Sequence, residues 1–196
     1  MTMLAAWRPY RSSFGSAMLV GPLWLALHAA VVHAEPAVSV TRNGASYLVD
    51  VRMEVRGDPS LSWSVLTDYE NLQCFVPGMR SSRVVSGRDE PLLLEQRGEA
   101  GLLFFKISTT TVSRIVETPE REIRFDLVRG SLRRMQGAWT LAPHDHATTV
   151  GYRAELVPEF ALPPLIGPAA IAQNVRAMVE GVAREIERRG LSSGRE

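Results

Sequence analysis

The sequence predicts an α+β domain in which one curved antiparallel β-sheet wraps around a long C-terminal α-helix. Between residues 81 and 156, apolar and polar side chains alternate with a period of two in successive short segments, which turn residues separate. Such segments are typical of antiparallel strands with one buried face. Downstream of them, apolar residues recur at helical spacing from Ile171 to Ile186, and charged residues fill the opposite side.

The first predicted element of the domain is a hairpin or a bent strand over residues 35–57. Asn43-Gly44 is a two-residue turn signal. Beyond this turn the apolar residues stand at alternate positions, namely Val49, Val51, Met53 and Val55. Because the residues between them are charged, the predicted strand has one face in water.

Two short helices are predicted next. Asp58-Pro59 supplies an N-cap and a first-turn proline, so a helix begins there and runs to about Thr67. A second helical piece ends near Phe75, and Pro77-Gly78 stops it. Apolar residues crowd this region on more than one side, which is unusual for a surface helix.

A run of about six antiparallel strands is predicted from Ser81 to Leu156. Ile123, Phe125 and Leu127 share one strand face, as do Val150, Tyr152, Ala154 and Leu156 of a later strand. Turn signals separate the strands at Gly87-Asp89, Glu117-Glu120, Gly130 and Pro143-Asp145. The spacing indicates an antiparallel meander that is hydrophobic on one side.

The last predicted element is one amphipathic helix that Gly190 ends. Its apolar face carries Ile171, Val175, Met178, Val179, Val182 and Ile186. A helix of about twenty residues is a rod roughly 30 Å long. This rod is expected to lie along the curved sheet.

The N-terminal segment has the pattern of an export signal. Arg8 and Arg11 precede an uncharged apolar run, and Val32-His33-Ala34 is a small-x-small site. We predict cleavage after Ala34, which gives a signal peptide over 1–34, a domain over 35–190 and a disordered tail over 191–196. The protein is then periplasmic or secreted. The alternative is a retained membrane anchor, because residues 14–32 nearly suffice to span a bilayer.

Composition limits the class of protein. With 196 residues, of which 45% are hydrophobic and 22% charged, the chain can bury a full core in one domain. Without Arg8 and Arg11, basic and acidic residues are nearly balanced. Such a balance gives no electrostatic footprint for nucleic acid, so no nucleic-acid partner is expected. The single cysteine, Cys74, cannot form an internal disulfide and is predicted to be a buried small residue.

Three segments carry a resemblance to a known superfamily. They are WSVLTDYENLQCFVPGMRSSRVV, REIRFDLVRGSLRRMQGAWTLAP, and VGYRAELVPEF with the helix that follows it. The element order is that of the helix-grip fold. In their order and spacing the segments resemble the START-like (SRPBCC) superfamily, whose members include polyketide cyclases and coenzyme Q-binding START-like proteins. The similarity covers about residues 45–190.

The resemblance implies a deep cavity between the sheet and the long helix that binds an apolar small molecule or lipid tail. A helix that borders a cavity and also packs on a sheet needs a wide apolar arc, which accounts for the crowded region after Asp58. The expected lining residues are Trp63, Leu66, Tyr69, Phe75, Leu103, Phe105, Phe125, Trp139, Tyr152, Phe160, Leu162, Leu165, Ile171, Val175 and Met178. The alternative stays open that these residues simply fill a core.

The connection VPEFALPPLIGP, residues 157–168, is apolar where loops are normally polar. Phe160, Leu162, Leu165 and Ile166 lie in it between prolines. We expect this segment to form one wall of the cavity mouth or to touch a membrane surface transiently. A loop that packs onto the domain as a staple is the alternative.

No motif of nucleophilic, phosphoryl-transfer or dinucleotide chemistry occurs in the sequence. His144 and His146 lie in a predicted turn without a third ligand, so no metal site is expected, and no cofactor motif occurs. Polar groups that a cyclase would need inside its cavity could come from Tyr69, Arg133, Tyr152 or Glu95. The alternative functions are therefore a polyketide cyclase/dehydrase-like enzyme and a protein-interaction module with a closed cavity. The interpretation that we favour is an exported monomer that sequesters or transfers a hydrophobic, quinone-like or lipid molecule.

Overall fold

The structure, a computed structural model, describes residues 35–102, 105–145, 147–160, 162–163 and 166–193. The described residues belong to one compact unit. The strands are β1 (Ala37–Asn43), β2 (Ser46–Arg56), β3 (Met79–Val84), β4 (Leu93–Leu102), β5 (Phe105–Thr118), β6 (Glu122–Gly130), β7 (Leu132–His144) and β8 (Ala147–Pro158). The helices are α1 (Pro59–Leu66), α2 (Leu72–Phe75) and α3 (Gly167–Ser193), and a 3-10 turn, Tyr69–Asn71, precedes α2.

The strands form one eight-stranded antiparallel sheet in the order β1-β2-β8-β7-β6-β5-β4-β3. From β3 to β8 each strand pairs with the next in the chain, which is the predicted meander. β8 then pairs with β2, so the N-terminal hairpin completes the sheet at its other side. With α3, this arrangement confirms the predicted α+β helix-grip architecture.

The hairpin turn lies one residue later than predicted. Asn43 pairs with Ser46 and is the last residue of β1, so Gly44 and Ala45 are the two turn residues. Gly44 has a φ of 60°, a conformation that glycine adopts at little cost. The need for positive φ at the first turn position explains why the glycine rather than Asn43 occupies it.

The start of α1 follows the prediction. Asp58 is the N-cap, and its carboxylate accepts a hydrogen bond of 2.8 Å from the backbone N–H of Leu61. Pro59 is the first helical residue, where it loses no hydrogen bond. The residue at which α1 begins is thus determined by local sequence.

The C-terminal helix is longer than predicted. α3 contains 27 residues, about 40 Å, and continues through Gly190 to Ser193. A Cβ on Gly190 would lie 3.1 Å from a methyl group of Leu61, so this glycine permits close packing on α1 rather than ending the helix. Three residues of the predicted tail, 191–193, are consequently helical, and 194–196 lie outside the described residues.

The core lies between the concave face of the sheet and α3. Val179, Val182 and Ile186 of α3 are at most 2% exposed and belong to the same cluster as Val55 and Val65. The prediction that Cys74 is buried is wrong, because it is exposed. Leu72 and Val76, four residues apart, are the buried positions of this segment, and Cys74 between them points away from the core.

Ion pairs join α3 to the end of α1. The Arg189 guanidinium donates to Asp68 (2.6 Å) and to Glu185 (2.7 Å), and Arg188 also donates to Glu185. The hydrogen bonds from Arg188, opposed in part by burial, hold the pKa of Glu185 down at about 2. Burial alone would raise the pKa of Asp68, but the bonds from Arg189 and Asn71 outweigh it and lower that pKa.

We expect this network to make stability depend on pH in the acid range. The folded-state pKa of Glu185 is depressed, so its contribution is complete above its ordinary pKa and is lost as pH falls from about 4.5 towards 2. Between pH 6 and pH 3 the loss is at most about 2 kcal/mol of unfolding free energy. Urea unfolding at both pH values checks this. Glu185→Gln should be less stable at pH 6 and should lose less on acidification, and an equal loss in both proteins would contradict the assignment.

A cavity between the sheet and the C-terminal helix

A cavity of about 440 Å³ remains between α3, the concave face of the sheet and the segment from α1 to β3. Apolar side chains form most of its wall. They are Leu66, Leu72, Val76, Met79, Leu94, Ile115, Ile123, Phe125, Leu132, Met135, Trp139, Val175, Ala177, Met178 and Val182, together with the rings of Tyr69 and Tyr152. The helix therefore does not fill the hollow of the sheet.

Three aromatic side chains of β6, β7 and β8 form one wall. The ring of Tyr152 stacks on Phe125 at 5.8 Å between centroids and lies 4.6 Å from the Trp139 ring at an angle of 51°. Register explains the cluster, because Trp139 lies directly opposite Tyr152 across the β7–β8 pair. Burial raises the pKa of the Tyr152 phenol, so this hydroxyl stays neutral.

The adjoining wall, on β4 and β5, carries neutral polar groups. Thr109, Thr111 and Ser113 alternate along the inner face of β5, and Gln96 of β4 pairs with Thr111. The Thr109 hydroxyl donates to the carbonyl of Gly98 at 3.3 Å. The Ser113 hydroxyl is buried and has no hydrogen-bond partner among the described residues. The cavity thus has an aromatic side and a side of hydroxyl and amide groups.

Tyr69 brings a hydroxyl group to the cavity from the 3-10 turn. This hydroxyl donates a hydrogen bond of 2.5 Å to the carboxylate of Glu117. Burial raises the pKa of Tyr69, and the bond to Glu117 raises it further. The phenol is therefore a neutral donor that is already occupied, and Glu117 fixes the ring against the cavity.

The mouth of the cavity lies where the wall reaches exposed residues, Pro77, Gly78 and Arg97. The Arg97 guanidinium is 3.2 Å from Glu95, so its charge is paired outside the cavity. Asn174 of α3 holds the β4–β5 tip, because its side-chain amide accepts from the Gly101 N–H at 3.1 Å and donates to the Gly101 carbonyl at 2.9 Å. One amide thus links the hairpin tip to the helix.

The predicted lining residues fall into three groups. On the cavity lie Leu66, Tyr69, Phe125, Trp139, Tyr152, Val175 and Met178. Away from it lie Trp63, Phe75 and Ile171, which pack against the core, and Phe160 and Leu162 of the connection before α3. Leu103 and Leu165 lie outside the described residues, as does the side chain of Phe105.

Phe160 and Leu162 depart from the prediction for a physical reason. Phe160 is 51% exposed, whereas Leu162 is 9% exposed and lies near Gly167, where a Cβ would be 3.0 Å from it. Leu162 is therefore packed onto the domain, while Phe160 faces solvent. Neither residue reaches the cavity described above.

The structure adds lining residues that the sequence prediction missed, above all Gln96, Thr109, Thr111 and Ser113. The alternation along β5 was visible in the sequence and does place the β5 residues on one face. The prediction assigned that face to the cavity through Leu103 and Phe105 but included none of its polar residues. The missing information was the empty space in front of them.

The groups considered for catalysis do not converge. Tyr69 and Tyr152 lie on the cavity, but Arg133 is exposed and does not line it. Glu95 does not line the cavity, and its carboxylate accepts a hydrogen bond of 2.6 Å from Arg83. This bond, opposed in part by burial, lowers the pKa of Glu95. No group of three metal-ligating side chains occurs within the described ranges, and His146 lies outside them. No described helix combines the length and the apolar character that crossing a bilayer requires.

A sheet that encloses a ligand-sized cavity against one long helix defines a START-like protein. Residues 55–180, more than half of the chain, match the family described as "Polyketide cyclase / dehydrase and lipid transport". The chain therefore belongs to the polyketide cyclase/dehydrase and lipid transport family, as the resemblance implied. No curated protein matches it.

Solved structures share the fold at low identity. A START superfamily protein from Mycobacterium smegmatis is 13% identical with a TM-score of 0.63, over 72% of this chain and 97% of that one. The Zhui aromatase/cyclase from a Streptomyces species is 19% identical with a TM-score of 0.63, over 74% of this chain and 95% of that one. A STAR-related lipid transfer protein from Xanthomonas axonopodis is 12% identical with a TM-score of 0.53, over 78% of this chain and 99% of that one. These likenesses establish the fold alone.

Proposed function

We propose that the protein is an exported, monomeric carrier that binds one hydrophobic small molecule or lipid in the cavity and sequesters or transfers it. The observation that carries the proposal is the cavity of about 440 Å³ left between α3 and the sheet. This volume is in the usual range of small-molecule sites. Quinone-like molecules and lipids with short or folded chains belong to the class that it could accept.

The chemistry of the wall supports binding without a charged anchor. Apolar surface gains about 25 cal/mol for each Å² removed from water, and the aliphatic and aromatic groups of the wall supply most of the contact. The two charged residues among the described lining, Arg97 and Glu99, are at the mouth and form ion pairs with Glu95 and Arg80. Among the lining residues that the structure describes, an apolar ligand therefore meets no unpaired charge in the interior.

Export is part of the proposal and is supported by the N-terminal pattern of residues 1–34, which lie outside the described residues. The described residues begin at Glu35, and β1 begins at Ala37. Cleavage after Ala34 would therefore leave every described strand and helix intact.

Native mass spectrometry of protein purified from its own host tests the carrier proposal. We expect the mass of a chain that begins at Glu35, together with a second species heavier by one apolar molecule. Denaturation should release that molecule for identification. Protein that remains ligand-free, and that fails to bind an added apolar fluorophore such as 1-methylpyrene, would refute carriage. An intact Met1 would refute cleavage alone.

Catalysis is the second candidate, and one observation favours it. The Tyr152 side chain is 8% exposed and lies on the cavity wall, and its neutral hydroxyl group can donate a hydrogen bond. Such a donor could polarise the carbonyl group of a bound polyketide. Conversion of an added poly-β-ketone to a cyclised product by the wild-type protein would support this function over simple carriage.

Transient membrane contact is also proposed, through the connection between β8 and α3. Its support is Phe160, which is 51% exposed beside the buried Leu162. We expect Phe160→Asp to weaken the affinity for vesicles of phosphatidylethanolamine and phosphatidylglycerol, measured by cosedimentation, at least about tenfold, because a buried phenyl ring is worth about 1.5–3 kcal/mol. Leu191→Asp changes an exposed apolar residue (71%) near the far end of α3 and is the control. Equal binding by both variants would contradict this contact.

A further inference from the structure

We infer that the ligand is an uncharged apolar molecule with a hydroxyl or carbonyl oxygen, and that the Ser113 hydroxyl on β5 binds this oxygen. The inference rests on the proposed function, since it requires that the cavity binds a ligand at all. It adds the chemical class of the ligand, its orientation, and the residue that determines specificity.

The first support is the unused hydrogen-bonding capacity of Ser113. Its side chain is 3% exposed, and its hydroxyl has no partner among the described residues. A buried hydroxyl without a partner is costly, so it needs an explanation. Ser62 and Ser82 are in the same condition, but of these three serines only Ser113 lines the cavity.

The second support is the position of Ser113 on the wall. Its strand neighbours on the same face, Thr111 and Ile115, also line the cavity, so the residue faces inward. Ile115 pairs with Phe125, whose ring stacks on Tyr152. Ser113 therefore lies where the polar wall meets the aromatic cluster, and a flat apolar body on those rings would have its oxygen near β5.

The third support is the depth to which the polar wall extends into the cavity. Thr109 pairs with Gly98, and Gly98 lines the cavity together with Gly78 of the mouth. Ser113 lies four residues further along β5, so it is about 13 Å from Thr109 along the strand. Gln96 and Thr111, which pair with each other, lie between them. A ligand oxygen can thus pass from one neutral polar group to the next on its way inward.

The charges around the cavity exclude an anionic ligand group. Ser, Thr and Gln side chains can donate to a carbonyl or exchange hydrogen bonds with a hydroxyl. A carboxylate or phosphate at the same depth would be desolvated without a cation, because Arg97, the one cationic side chain of the described lining, is paired with Glu95 near the mouth. The wall therefore fits a neutral oxygen.

Three fluorescent probes of one ring system test the inference by titration. They are 1-methylpyrene, 1-pyrenemethanol and 1-pyrenecarboxylate, which differ in one substituent. We expect the wild type to bind the first two and to bind the carboxylate at least about tenfold more weakly than the alcohol. Ser113→Ala should weaken binding of 1-pyrenemethanol about fivefold and leave that of 1-methylpyrene unchanged, since it removes one hydrogen bond.

Ser62→Ala is the matched control, because it removes another buried, unpartnered serine hydroxyl that does not line the cavity. It should change neither affinity. If Ser113→Ala does not fold, Ser113→Cys keeps the shape and weakens the donor, and the same selective loss is expected.

The outcomes separate this inference from the proposed function. Binding of neither neutral probe by the wild type would refute both. Binding of both probes with equal effects of Ser113→Ala on each would refute the inference and leave carriage standing. A carboxylate probe that binds as tightly as the alcohol would show that the site does not select neutral ligands.

Discussion

Replacing Thr111 by tryptophan is expected to weaken ligand binding at least tenfold while the fold remains. Thr111 is 8% exposed and faces the cavity from the middle of β5, so an indole ring there would occupy the space of the ligand. Tryptophan is well tolerated in strands, and the cavity offers it room. We expect the affinity for 1-methylpyrene to fall at least tenfold, or about 1.4 kcal/mol, in a fluorescence titration.

The neighbouring residue provides the control. Thr110 is the same residue type on the same strand, but it is exposed on the other face of the sheet. Thr110→Trp should therefore bind the probe as the wild type does, and circular dichroism should give both variants the same secondary structure. If the two variants bind equally well, the ligand does not occupy the described cavity.

The second large effect concerns stability. Gly181 lies inside α3, where glycine-to-alanine replacement ordinarily stabilises a helix by about 0.5–1 kcal/mol. Here a Cβ would overlap the carbonyl oxygen of Phe75 and would lie 2.8 Å from the Pro77 ring. We expect Gly181→Ala to lower the unfolding free energy by about 2–3 kcal/mol in urea, because the end of α2 must move away from α3.

Gly190→Ala is the matched comparison on the same helix. The contact there is with the end of the Leu61 side chain, which can move, so the change should stay within about 1 kcal/mol of the wild type. A stabilised Gly181→Ala protein would mean that α2 does not pack on α3 as closely as described. Because Val76, Pro77 and Gly78 line the cavity, Gly181→Ala should also weaken probe binding.

Local chemistry was sufficient to predict most of the architecture. Asp58 and Pro59 define the start of α1 by capping and by a fixed φ, neither of which needs the rest of the protein. The alternation of Val49, Val51 and Met53 likewise identifies the buried face of β2, because period two leaves one choice of face.

Features that depend on packing were less predictable. A glycine near the end of a helix can terminate it or can admit a neighbouring side chain, and only the position of Leu61 decides between the two at Gly190. Cys74 similarly lies among apolar neighbours, and the direction of the short helix α2 exposes it.

The cavity was the least predictable feature. Leu66, Tyr69 and Trp139 are residues that fill a core equally well, and nothing in a linear pattern tells a filled space from an empty one. The polar residues of β5 were informative only once the space in front of them was known. Function in this fold therefore depends on a volume, which is a property of the assembled elements and not of any one segment.

The pairing of β2 with β8 also determines how the molecule can fold. Val51 meets Tyr152, roughly one hundred residues further along the chain, so the hairpin made early in synthesis has no partner until nearly all of the polypeptide exists. Contacts of such long range make folding slow, on a scale of milliseconds to seconds. Until β8 arrives, β2 presents a long unpaired edge, and the nascent chain is most prone to aggregate during that interval.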